Sequence, residues 1–192
     1  MAKRLGVFRA REFVAAGYSR EYLRRLISRS EVQQLNRGLY AATSFDGDGN
    51  QSMVEATKQF PRGVVCLVSA LRFHGIGTQS PFEVWLALPR GTNFPQALNR
   101  PYRFCQFSKT AYSFGVEERS VPGGIVCVYS PAKAVADCFK YRNKFGLDVA
   151  IEALREGWRA KKFTMDELVR AAEVCRIRRV LQPYLEMLSY GS

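Results

Sequence analysis

Residues 7–40 read VFRAREFVAAGYSREYLRRLISRSEVQQLNRGLY, and the fold of the chain turns on how this stretch is taken. Residues 9–16 are helix formers with apolar Phe13 and Val14 on one side. Gly17 follows where a helix end needs a residue that tolerates a left-handed backbone. Ser19 then stands at an N-cap, its hydroxyl able to accept from the open N–H groups of the next turn, with Glu21 near the positive end of the dipole. In the helix so predicted, Tyr22, Leu23, Leu26 and Ile27 recur at helical spacing and face inward. Arg20, Arg24, Arg25, Ser28 and Arg29 are left outside.

Helix, glycine turn and a second helix with an arginine face is the helix-turn-helix arrangement, whose second helix has the width of the major groove of B-DNA. Arginine suits the place, because its planar fork bonds guanine bidentately and also holds a phosphate. Two short extended runs follow, 32–35 and 39–42, joined by Asn36-Arg37-Gly38, residue types fitted to a hairpin turn. They read as a wing with Arg37 at its tip, aimed at a phosphate or into the minor groove. The predicted DNA-binding set is therefore Ser19, Arg20, Arg24, Arg25, Ser28, Arg29 and Arg37. The competing reading is an ordinary small core whose arginines merely solvate a helix face.

Four segments together resemble the AbiE-type antitoxin and transcriptional regulator family of bacterial abortive-infection, type IV toxin-antitoxin systems. They are GYSREYLRRLISRSEVQQLNRGLYA (17–41), VVCLVSALRFHGIGTQSP (64–81), VWLALPRG (84–91) and VYSPAKAVADCFKYRNKFGLDVAIEALRE (128–156). The resemblance implies an autorepressor that binds repeated operator sites in double-stranded DNA upstream of its own operon, as a dimer or a cooperative pair. It further implies antagonism of a nucleotidyltransferase-like toxin from the same operon, without need of a stable complex.

The 192 residues are 47% hydrophobic, ample for a core in one medium domain or in a small and a larger one. The net charge of +12 points to a polyanionic partner. Its distribution narrows the choice, since residues 1–40 hold nine Lys or Arg against three Asp or Glu, half of the excess in the first fifth of the chain. No apolar run approaches the roughly 20 residues that span a bilayer; the best, 64–71, is short and contains Ser69. The first residues lack the apolar stretch of a secretory signal, so the expected place is the cytoplasm, with no membrane partner. Cys66, Cys105, Cys127, Cys138 and Cys175 are odd in number, dispersed and mostly in apolar segments, the pattern of reduced buried thiols.

The turn-rich tract 42–51 marks a boundary, giving a winged helix-turn-helix domain over 1–49 and an α+β domain over 50–192. In the latter, 53–60 predicts a short helix stopped before Pro61. Residues 64–68 are a strand or the lead into a helix capped at Ser69. Residues 81–88 alternate Phe82, Val84, Leu86 and Leu88 against Glu83, Trp85 and Ala87, and predict a strand; 103–107 and 124–129 predict two more. Ser130-Pro131 starts a helix by a serine cap and a first-turn proline. Helices are also expected over 147–158, after the capping box Thr164-Met165-Asp166-Glu167, and over 177–188 with a bend near Pro183. Strands followed by helices make the fold class α+β.

The sequence predicts no catalytic residue and no metal or cofactor site. A single histidine, His74, without a Cys-x-x-Cys pair, excludes the usual zinc sets, and its simple reading is a helix-end histidine bonded to backbone or solvent. Residues 75–80, GIGTQS, lack the third glycine of a dinucleotide loop, and no Walker loop occurs. The alternative function is a nucleic-acid-processing, nuclease-like enzyme targeted by the basic N-terminal domain. No lysine follows a carboxylate by two positions, the spacing such enzymes commonly use. Asp137, Asp148, Glu152 and Glu156 are expected to be helix-capping charges or surface charges that pair at one-turn spacing with Lys133, Lys140, Arg155 and Arg159. Two further basic patches, Arg155, Arg159, Lys161 and Lys162, then Arg176, Arg178 and Arg179, are solvated faces or additional phosphate contacts.

Overall fold

The computed structural model describes residues 6–44, 49–94 and 101–190. The chain divides into two compact units, Met1–Gly63 with Glu118–Val126, and Val64–Glu117 with Cys127–Ser192.

In the first unit, β1 (Val7–Arg9), α1 (Ala10–Ala15), α2 (Arg20–Ser28), β2 (Val32–Asn36), β3 (Leu39–Ala42) and α3 (Gln51–Gln59) follow in order. The strands form an antiparallel sheet in the order β1-β3-β2, with Phe8 opposite Tyr40 and Val32 opposite Ala42. This is a winged helix-turn-helix. β1 was not expected, and it moves the start of the first helix from residue 9 to Ala10. Arg9 is extended (φ −89°, ψ 152°) and serves as the N-cap, because pairing with β3 claims its backbone. Val14 also departs from expectation: Phe13 is buried but Val14 is 44% exposed.

α3 packs on β1 and β3 and buries Met53, Val54 and Ala56. It lies just past the expected boundary at 49/50, yet within the first unit; residues 45–48 of the turn-rich tract lie outside the described residues. The same unit includes the turn of residues 118–126. The Val7 N–H donates to the Gly123 carbonyl at 3.0 Å. Gly6, at φ +57°, sits so close that an added Cβ would stand 2.2 Å from the Gly123 Cα, so only glycine fits there.

The second unit contains β4 (Val64–Val65), α4 (Leu67–His74), β5 (Val84–Pro89), β6 (Tyr102–Phe107), α5 (Lys109–Ser113), parts of β7 (Val116–Val121) and β8 (Gly124–Tyr129), and a helical C-terminal half. Sheet order is β6-β5-β4-β8-β7, with β4 antiparallel to β5 but parallel to β8, and β5 parallel to β6. The helices are α6 (Pro131–Lys140), α7 (Arg142–Phe145), α8 (Leu147–Arg159), α9 (Met165–Val174) and α10 (Arg178–Tyr190), the last with Pro183 inside it. α6 is the central helix, packed by α4, α8 and α9 and buried at every residue from 132 to 139. The chain is α+β.

The two cap signals work as read. The Ser130 hydroxyl accepts from the Lys133 N–H, and Thr164 with Glu167 forms a reciprocal capping box. Ser69 does not cap a helix: α4 starts at Leu67, and the Ser69 hydroxyl instead accepts from the Trp85 N–H at 3.0 Å and donates to the Glu83 carbonyl, tying the helix to β5. The strand expected over 81–88 begins only at Val84, leaving Phe82 83% exposed before it.

Candidate nucleic-acid interface

The interface is built on a small aromatic core. Phe8, Phe13, Leu23, Leu26 and Val32 are buried together, with Ala10, Tyr18, Ile27 and Tyr40 packed around them. Phe13 lies 5.4 Å from Phe8 and 4.9 Å from Tyr18 between ring centroids. The turn between the helices is a Schellman-type end: the Gly17 N–H donates to the Val14 carbonyl, the Tyr18 N–H to the Phe13 carbonyl, and Gly17 takes φ +91°. The Ser19 hydroxyl then accepts from the Tyr22 N–H at 3.0 Å and opens α2. Leu23 and Leu26 hold one side of α2 in the core, so its opposite side is fixed outward.

That outward side carries Arg20, Arg24 and Ser28 in one row at four-residue steps, and Glu21, Arg25 and Arg29 in the next, all exposed. None of the four arginines makes an ion pair or hydrogen bond through its side chain with a described residue. Their mutual repulsion is left to solvent or to a bound polyanion. The two serines are engaged with backbone instead, Ser19 as cap and Ser28 donating to the Arg25 carbonyl at 2.9 Å. Tyr22, expected inward, is 37% exposed while its ring stacks along Phe13 and Tyr18; it flanks the arginine rows. With side chains a helix is about 10–12 Å across, a match for a groove about 12 Å wide, and the nine residues of α2 at about 1.5 Å each run roughly 13 Å along it.

The wing turn places Arg37 in solvent, with Gly38 at φ +71° and a register shift between Gln34 and Asn36. Asn36 does more than turn the chain. Its side-chain oxygen accepts from the Arg37 N–H at 2.8 Å, and its amide donates to the Gln59 side chain at 2.9 Å, anchoring the wing to α3. Arg9 is spent similarly, its guanidinium donating to the Lys58 and Gln59 carbonyls at the C-terminal end of α3, while Lys58 pairs with Glu12 at 2.8 Å. These couplings across some 20 to 50 residues carry no local sequence signal.

The N-terminal 42 residues of this arrangement coincide with a known family profile, transcriptional regulator, AbiEi antitoxin. The match to this family of transcriptional regulators runs over residues 2–43. A solved structure, the RV2827C protein from Mycobacterium tuberculosis, shares the fold with TM-score 0.57 at 14% identity, over 88% of this chain and 67% of that one. No curated protein sequence matches the chain.

Outside the AbiEi-type segment the predicted chemistry resolves as follows. His74 ends α4, with Nε2 2.8 Å from the Tyr129 carbonyl oxygen. Four of the cysteines are buried and Cys127 is half-buried, and none of the five is in a disulfide. Burial pushes the Cys66, Cys138 and Cys175 thiols up, Cys175 to about 12, the state of an inert thiol. Among the described residues, no group of three or more His, Cys, Asp or Glu could hold a metal ion. Nor is any helix among them long and apolar enough to cross a membrane.

Of the expected one-turn ion pairs, Lys133–Asp137 forms, but at the centre of the second unit rather than on a surface. Lys133 also lies over the Tyr129 and Phe107 rings, 4.2 and 4.7 Å from their centroids. Asp137 accepts from the Cys175 thiol at 3.2 Å. Glu152 and Glu156 do not pair with Arg155 and Arg159. They accept from the backbone N–H groups of Thr78 and Gly77, at 3.2 and 2.8 Å. A tight turn in which Gly77 takes φ +76° exposes those donors, and a carboxylate is the stronger acceptor for them.

Proposed function

We propose that the chain is a DNA-binding autorepressor and a type IV antitoxin, acting on operator repeats upstream of its own operon and opposing a nucleotidyltransferase-like toxin encoded beside it. The observation that carries the DNA-binding part is the uncompensated double row of arginines on α2, set beside the Arg37 wing and packed on a rigid aromatic core. A solvated helix face of ordinary composition intersperses both signs, whereas here one glutamate faces four arginines. Arg20, Arg24, Arg25, Arg29 and Arg37 make the contacts, Arg20 and Arg24 as base readers and Arg37 to the backbone. Ser19 sets the start of the helix and Ser28 lies on the outer row. The antitoxin part rests on the AbiEi family match over residues 2–43.

One full-length variant, Arg24→Ala/Arg25→Ala, separates the two activities. Both side chains are exposed, so the fold stays intact by circular dichroism. A promoter reporter should lose repression, and gel shifts on the upstream region should lose the specific band, while protection against co-expressed toxin persists. Undiminished specific binding would overturn the interface. Absence of protection by the wild-type chain would overturn the antitoxin role.

A further inference from the structure

α8 and α10 leave between them a cleft of about 630 Å³, walled by Ile151, Leu154, Trp158, Tyr184 and Met187. Its walls are set by the core. Leu154 is buried, Trp158 leans on Phe163 with centroids 6.5 Å apart, and Tyr184 on Phe139 at 5.1 Å. Met187, by contrast, is 58% exposed, a flexible thioether at the mouth of an otherwise fixed apolar surface.

Arg155 and Arg159, one turn apart on α8, complete the lining and are exposed. The glutamates that helical spacing offers them, Glu152 and Glu156, are drawn off to the Gly77–Thr78 backbone. Neither arginine has an ion pair or side-chain hydrogen bond with a described residue. An apolar cleft with aromatic walls, lined also by two guanidinium groups one turn apart that pair with no described carboxylate, fits the usual make-up of a ligand site, and its volume lies within the roughly 300–1,000 Å³ common for one.

We infer that this cleft binds a small amphipathic anion: an aromatic or acyl body lying on Trp158, Tyr184 and Met187, with one carboxylate, sulfonate or phosphate held by Arg155 and Arg159. Charge and size select this occupant over the alternatives. A second copy placed symmetrically on the cleft would set Arg155 and Arg159 against their own equivalents. A folded protein partner needs a footprint of about 20–30 residues, far more than the handful that line this cleft. A neutral apolar ligand would leave the two arginines that line the cleft without a counter-charge.

The test uses the full-length protein and two dyes of nearly the same shape, anionic 8-anilinonaphthalene-1-sulfonate and uncharged N-phenyl-1-naphthylamine, in fluorescence titrations. The anionic dye should bind saturably at one site per chain and at least tenfold more tightly than the neutral one. Arg155→Gln/Arg159→Gln should remove that preference. Met187→Asp, a change at an exposed position, should weaken the anionic dye at least tenfold with the thermal melt unchanged. Equal affinity for the two dyes, or variants that bind like wild type, would overturn the inference. So would a dye signal per chain that falls as protein concentration rises, since a second copy would then cover the cleft.

Discussion

Arg24 stands on the outer row of α2 between Arg20 and Ser28, while Arg37 stands alone at a turn that Asn36 ties down. Their expected roles differ accordingly. Arg24→Ala, or Arg20→Ala, should cost about 1–3 kcal/mol in operator binding and relax the sequence preference. Gel-shift titrations on operator and scrambled duplexes measure this, and an equal loss on both would make the residue a phosphate contact. Arg37→Ala should weaken all sequences evenly and reduce the slope of log affinity against log salt by about 1. An unchanged slope would place Arg37 off the DNA. The arginine rows were legible because a 3.6-residue period sorts Leu23 and Leu26 from their neighbours. Tyr22 was misplaced by the same period: a large ring at the edge of the apolar stripe stacks on Phe13 and stays in water. Asn36 read as a turn former, and its bond to Gln59, 23 residues on, was beyond any local pattern.

At the scale of elements, α1 and α3 are held together by Glu12 and Lys58. Partial burial raises the Glu12 carboxyl, but the hydrogen bonds from Lys58 and the Arg9 N–H, with the charges of Lys58 and Arg11, outweigh it and leave Glu12 below its ordinary value of 4.5. A depressed carboxylate contributes stability above its unfolded pKa and loses it as pH falls through the folded one. Glu12→Gln should therefore flatten the decline in stability on acidification below about pH 5, as read by urea midpoints. An identical pH profile in wild type and variant would show that the pair contributes nothing. In α6 the Lys133–Asp137 pair is wholly buried, and burial raises the Asp137 carboxyl even against the pull of Lys133. Asp137→Leu strands a charge in the core and should cost about 3–5 kcal/mol, while Lys133→Met/Asp137→Leu should recover much of it. Urea unfolding of the three proteins decides, and a double variant as weak as the single would refute the account. Capped helices were legible here because Ser130-Pro131 and Thr164–Glu167 are local devices. β1, with three residues, and β7, whose VEERSV has no apolar face, offered no period to read.

On the scale of the whole chain, the sequence boundary at residue 49 followed the turn formers, whereas the first unit is drawn by contacts made from much later residues. Its last piece, 118–126, supplies the Gly123 carbonyl to Val7 and the close approach at Gly6. This arrangement sets a schedule for biosynthesis. At about 5–20 residues per second, the 63 residues from Gly63 to Val126 take on the order of 3 to 12 s to be translated, and for that interval the arginine-bearing unit lacks a piece of its frame. Nascent chains stalled with residues 1–63 outside the ribosome should be cut readily by protease within β1, and those stalled with 1–126 outside should resist. Equal resistance at both lengths would mean that the late segment is dispensable. If it is required, each ribosome must translate through Val126 before the arginine-bearing unit is complete, so the unit forms seconds after its own first 63 residues are made.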